Sequence, residues 1–249
     1  MSRGRIAACH VHDARIVRPQ RASAFEKAVV GRGVIAVDRR GKWLRARLEG
    51  GARIFSHLGM TGWFETARGD EPLRFERVRL TLERGGAVTH VVYVDARRWG
   101  RMLVADEDVA AWSTLGPDPL DDEVDLEAVR ARLARWKKRS IKDALMDQRL
   151  LAGVGNIHAT EALWKAGIDP RASAASIDRK TLAAIMKGIN WTIDRALADL
   201  AKGARSAHDP FVIYGHAKQP CPRCGTTLAK ITLAGRTSAY CPGCQKRLR

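Results

Sequence analysis

Four cysteines near the C-terminus restrict this chain more than any other feature. They fall as Cys221-Pro-Arg-Cys224 and Cys241-Pro-Gly-Cys244, with sixteen residues between the pairs. A Cys-x-x-Cys step turns tightly enough for both sulfurs to face one tetrahedral ion, and two such steps complete a four-thiolate shell. The spacer contains Gly225, Gly235 and an apolar-rich run at 228–233, the pattern of a β-hairpin with a cysteine pair at each end. Two disulfides would use the same residues, but no secretory signal pattern opens the sequence. The expectation is a ribbon holding one structural zinc ion through Cys221, Cys224, Cys241 and Cys244. Cys9 has no partner in the sequence and reads as a reduced core thiol.

Charge says what such a ribbon would touch. From residue 211 onward there are seven Lys or Arg and no Asp or Glu. The whole chain carries 44 Lys and Arg against 27 Asp and Glu, a formal +17, far beyond what solubility needs. Unopposed positive charge suits a polyanion, because neutralising phosphates releases condensed counterions. No apolar run is long enough to span a bilayer. Nucleic acid is the expected partner, and a cytoplasmic, nucleoid-associated location the expected compartment.

The N-terminal half reads as β structure. Strand-like runs cover residues 5–17, 34–37, 43–48, 52–58, 75–82 and 87–95, with a short helix at 25–30 and Gly-Gly turns at 50–51 and 85–86. Short strands joined by glycine turns form a sandwich or a barrel. After about residue 105 the period changes. Asp125 precedes Leu126, Val129, Leu133 and Trp136 at helical spacing. A second helix is expected over 141–151 and a third over 156–166, ended by Gly167. A long one runs to about Lys202 behind a cap at Ser176 or Asp178. The order is β, then α, then ribbon: an α+β multidomain chain divided at 1–105, 106–208 and 209–249.

The break between the two middle helices, Leu151-Ala-Gly-Val-Gly-Asn-Ile-His158, carries the most chemistry. Glycines let a phosphate approach backbone N–H groups, and the dipole of the following helix favours the anion. Gly155 and Asn156 would make that contact, Asn156 by capping the helix or by donating to phosphate oxygen. Lys142, one helix earlier, would add charge. An ordinary capped turn between helices has the same composition, so the motif does not decide alone.

Together, four motifs make the chain resemble the Fpg/Nei group of DNA glycosylases, on its Fpg branch. They are Leu145-Met-Asp-Gln-Arg-Leu-Leu-Ala-Gly-Val-Gly-Asn-Ile-His158, His57-Leu-Gly-Met-Thr-Gly62, Asp95-Ala-Arg-Arg-Trp-Gly100 and the cysteine ribbon. The resemblance implies a β-sandwich, a helix–two-turn–helix domain and a zinc finger. It implies a monomer that removes oxidised bases from double-stranded DNA and cuts the strand at the abasic site. Such an enzyme extrudes its target nucleotide and must fill the vacancy. Met60, Arg97 and Trp99, with Arg98 beside them, match the filling loops, and Trp99 stands where the family has Phe. Asn156 and Lys142 match phosphate-binding positions, and Arg236 matches the finger arginine beside the lesion. Lys42 matches a lysine near the reacting sugar, where it would hold a phosphate or aid proton transfer.

One departure stands out. The family's nucleophile is an N-terminal proline followed by glutamate, whereas this sequence opens Met1-Ser-Arg-Gly-Arg5 directly into the first strand. An opening helix and linker of roughly twenty residues would be needed to supply it. Two readings stay open: a native start lying upstream that restores Pro-Glu, or a relative that binds lesions without cutting them. A zinc-ribbon nucleic-acid-binding module is a third, although it leaves the filling loops unexplained. The connection at 203–210 is short beside that of family members that cap 8-oxoguanine, so no one lesion is favoured.

Overall fold

The computed structural model describes residues 4–202 and 211–248. The chain divides into two compact units, Met1–Thr114 and Leu115–Arg249. The first contains β1 (Arg5–Val11), α1 (Ala22–Val29), β2 (Val34–Arg40), β3 (Trp43–Leu48), β4 (Arg53–His57), β5 (Gly62–Ala67), β6 (Glu76–Arg84), β7 (Ala87–Asp95), β8 (Arg101–Ala105) and the single turn α2 (Ala110–Ser113). Two antiparallel sheets form, in the orders β1-β6-β7-β5 and β2-β3-β4-β8. Ile6, Val34, Leu48, Ile54, Val78, Tyr93 and Met102 fill the core between them. Phe25 and Val29, one turn apart on α1, are fully buried in the same cluster.

The first strand is shorter than its apolar pattern implies. It stops at Val11 because Asp13 takes over the local backbone: its carboxylate accepts from the Arg15 N–H at 3.1 Å, and its carbonyl accepts from Ile16 N–H at 3.1 Å. Ile16 and Val17 remain fully buried, but as turn residues folded back onto the core.

The second unit contains α3 (Leu126–Ala134), α4 (Ile141–Leu145), α5 (Asn156–Ala166), α6 (Arg179–Ala201), β9 (Ala229–Leu233) and β10 (Arg236–Tyr240). Asp125 caps α3 by accepting from Glu127 and Ala128 N–H, and Asp178, rather than Ser176, caps α6 by accepting from Thr181 N–H at 2.7 Å. Gly167 ends α5 in the left-handed conformation. The helix expected over 141–151 ends at Leu145. Asp147 accepts from Arg149 N–H at 3.0 Å, and Gln148 bonds Met146 O, Val154 O and Gly153 N–H at 2.8–3.0 Å. These side chains satisfy the backbone that a longer helix would have used. Leu150 and Leu151 are buried all the same, so their spacing mimics a helical face.

The finger has no core of its own to spare. Cys221, Leu228, Ala239 and Cys241 pack with Ile213 and with Trp164 from α5. Glu161, also on α5, is buried and accepts from Val212, Ile213 and Tyr214 N–H at 2.8–2.9 Å, which fixes the segment entering the finger. Residues 203–210, on which the lesion-preference expectation rests, lie outside the described residues, as do residues 1–3.

Candidate nucleic-acid interface

Two loops of the first unit carry exposed side chains on a rigid base. The β4–β5 loop presents Met60, 63 % exposed, and the β7–β8 loop presents Trp99, 57 % exposed. Arg97 and Arg98 are exposed beside Trp99, with the Arg97 guanidinium 4.4 Å from the Trp99 ring centroid. Arg98 has φ 59° and lies 3.8 Å from Asp13.

Glycines let the loops approach each other. A β-carbon at Gly59 would lie 2.6 Å from the Trp99 carbonyl carbon, and β-carbons at Gly62 and Gly100 would fall 2.0 and 1.6 Å from Tyr93 Oη. Beneath them sits Asp95, wholly buried at the end of β7. It accepts from Thr61 Oγ1 at 2.6 Å, Gly100 N–H at 2.7 Å, Arg97 N–H at 3.1 Å and Tyr93 Oη at 3.4 Å. Burial, together with Asp95, pushes the Tyr93 phenol well above its ordinary range, so it stays a donor.

Lys42 is exposed in the turn between β2 and β3, and its carbonyl accepts from Leu58 N–H at 3.4 Å. This sets it beside His57, whose Nδ1 accepts from Gly59 N–H at 3.1 Å. Burial, then the charges of Lys42 and Arg101, hold His57 below the usual imidazole range.

In the second unit, the glycine turn and the finger hairpin converge. Lys142 is fully buried, its ammonium donating to Asn156 Oδ1 and to Ser238 Oγ on β10. Asn156 Nδ2 donates in turn to Thr237 O at 3.0 Å. Gly155, not Asn156, occupies the helix cap position, which leaves the Asn156 amide to join helix and finger. Arg236 begins β10 in an exposed position. Burial, with the Arg236 charge, lowers the Lys142 pKa to about 8. Three cationic or polar groups from separate elements thus meet at a helix N-terminus, an arrangement suited to an oxyanion.

The four ribbon cysteines meet as expected. Their sulfurs all lie within 4.8 Å of one another, with Cys221–Cys244 at 3.8 Å and Cys224–Cys241 at 3.4 Å. A tetrahedral ion with metal–sulfur bonds of about 2.3 Å needs sulfurs about 3.8 Å apart, so the set fits one metal ion. Trp164 Nε1–H points at Cys221 Sγ from 3.4 Å, an outer hydrogen bond that favours thiolate.

The formamidopyrimidine-DNA glycosylase N-terminal domain matches residues 1–102, and the H2TH domain of the same enzymes matches residues 115–207. The zinc finger found in FPG and IleRS matches residues 218–247. The formamidopyrimidine-DNA glycosylase of Thermomicrobium roseum is 38% identical over 248 residues, covering 89% of this chain and 84% of its own length. This chain belongs to the formamidopyrimidine-DNA glycosylase family. A relative from Pseudomonas savastanoi is 39% identical over 229 residues, covering 87% of this chain and 83% of its own. Among solved structures, Lactococcus lactis Fpg bound to DNA containing an AP site superposes with a TM-score of 0.83 at 25% identity, covering 98% of this chain and 93% of that one. The same protein with FAPY-dG-containing DNA gives 0.84 at equal identity and coverage.

Family membership accounts for the motifs, but several supporting residues carried no signal of their own. Thr61 and Asp95 lie inside the quoted motifs, yet their mutual bond appears only when β5 pairs with β7, placing Gly62 opposite Asp95. Ser238 is an unremarked serine in a hairpin until it meets Lys142. Glu161 sits on a helix in a periodic stretch and gives no hint that it holds the finger's entry.

Proposed function

We propose that this protein removes oxidised bases from duplex DNA by flipping the damaged nucleotide, and cleaves the strand at the abasic site. The observation that carries this reading is the pair of exposed apolar side chains, Met60 and Trp99, raised on a buried hydrogen-bonded base. Large exposed apolar groups on rigid loops are costly unless a partner covers them, and an emptied base stack is such a partner. Met60 and Trp99 fill the vacancy, and Arg97, with Arg98 beside it, faces the orphaned base. Asn156, the Gly155 backbone and Arg236 hold phosphate, with Lys142 adding charge from beneath. Lys42 holds a phosphate or moves a proton near the reacting sugar.

A structural zinc ion in the four-cysteine site orders the finger so that Arg236 is correctly placed. Its role is folding rather than chemistry. The DNA-bound Lactococcus relatives, with AP-site and FAPY-dG duplexes, support this partner class. The protein acts as a monomer in the cytoplasm, at the nucleoid, with divisions near residues 105 and 208 separating sandwich, helical domain and finger.

The test is equilibrium binding to an intact duplex and to the same duplex with an abasic analogue. The abasic duplex should bind more tightly, and Met60→Ala with Arg97→Ala should remove most of that preference. Arg236→Ala should lower the salt slope by about one unit without abolishing lesion preference. Equal binding of both duplexes by the unaltered protein would overturn the proposal.

A further inference from the structure

We infer that Asp95 is the positioning residue that makes the two filling loops act as one wedge. The inference rests on the lesion-filling role proposed above and names the group that sets its geometry. The two loops are remote in sequence, and Met60 and Trp99 stand exposed on them. Asp95 joins them through one buried carboxylate. Its Oδ1 accepts from Thr61 on the Met60 loop and from Arg97 N–H on the other, and its Oδ2 accepts from Gly100 N–H, just beyond Trp99. Thr61 Oγ1 in turn lies 3.3 Å from Arg97 N, closing the triangle.

Everything around this carboxylate is arranged to donate. The Tyr93 hydroxyl adds a donor at 3.4 Å, and its ring occupies the space that side chains at Gly62 and Gly100 would need. Arg77 Nε holds the Asp95 carbonyl at 2.8 Å, so the backbone under the carboxylate is fixed as well. Each donor is a group that a buried site must satisfy, and no water is needed to bridge them. Met60 and Trp99 themselves make none of these bonds. The clamp therefore sets where they stand without touching the DNA, and it offsets in advance the ordering that insertion requires.

Asp95→Asn tests this with little change in shape. It turns one acceptor oxygen into an NH2 group facing N–H or O–H donors, which drives the loops apart while the sandwich core, of which Asp95 is no part, remains. The expected result is a loss of about 10- to 100-fold in preference for abasic over intact duplex, the range set by one to two charge-assisted hydrogen bonds. Intact-duplex affinity and salt slope should stay as in the unaltered protein, because phosphate contacts are untouched. 2-Aminopurine placed beside the abasic site should show a reduced insertion signal. Thr61→Ser should behave as wild type, and Thr61→Val should lose part of the preference; this pair decides the matter if the Asn variant fails to fold. Abasic preference within twofold of wild type in both Asp95→Asn and Thr61→Val would overturn the inference. If the unaltered protein itself lacks the preference, the functional reading fails instead.

Discussion

Lys142 places a titrating amine inside the second unit, and its cost should be visible as a pH-dependent stability. The group is fully buried, and burial, helped by the Arg236 charge, depresses its pKa from 10.5 to about 8. Between those two values the unfolded chain holds a proton that the folded chain has released. Folding stability must therefore rise with pH across that window, by about 1.4 kcal/mol per unit. Below pH 8 the full penalty is present, at most about 3.5 kcal/mol for that shift, and about 2 once solvent screening is allowed for. Lys142→Met removes the charge and keeps the length. It also leaves Asn156 Oδ1 and Ser238 Oγ without their donor, a loss that does not depend on pH. The quantity to measure is thus the difference between the two proteins in denaturant unfolding from pH 7 to 10. Wild type should gain about 2 to 3 kcal/mol on the variant over that range. Parallel profiles would refute a buried, depressed lysine. A phosphate bound nearby favours the charged form, so DNA binding near pH 8.5 should take up protons in wild type and not in the variant.

Three further outcomes are expected. Cys221→Ser should abolish stoichiometric zinc binding and unfold the finger while the sandwich keeps its own transition, since the metal supplies the finger's folding energy; unchanged zinc content would exclude Cys221 as a ligand. Glu161→Gln should destabilise the second unit by about 1 to 3 kcal/mol, because an NH2 group would face backbone N–H donors at 2.8–2.9 Å; thermal unfolding and the rate of zinc loss would both report it. His57, held below its ordinary pKa by burial and two cations, contributes stability that is complete above pH 6.5 and is lost as pH falls through its folded value. Protonation also displaces Gly59 N–H from Nδ1, so abasic preference should fall on acidification in wild type and be flatter in His57→Gln.

Much of this molecule was legible from spacing alone. The cysteine ligands follow from two tight turns and a hairpin-length spacer. Asp125, Gly167 and the choice of Ser176 or Asp178 announce helix ends because capping is a contact between near neighbours in sequence, and the structure selects Asp178. The glycine-flanked motifs predict exposed loops at Met60 and Trp99 for the same reason. Periodicity misled where side chains replaced backbone bonds, as Asp13 does after β1 and Gln148 does after α4. Only the tertiary structure decided that Lys142 is buried rather than displayed, that Ser238 is its partner across 96 residues, and that Asp95 joins two separate loops. Local patterns encode how a segment turns and which face it buries. Which donor meets which acceptor across the fold depends on strand register and helix packing, and no short window of sequence contains that information.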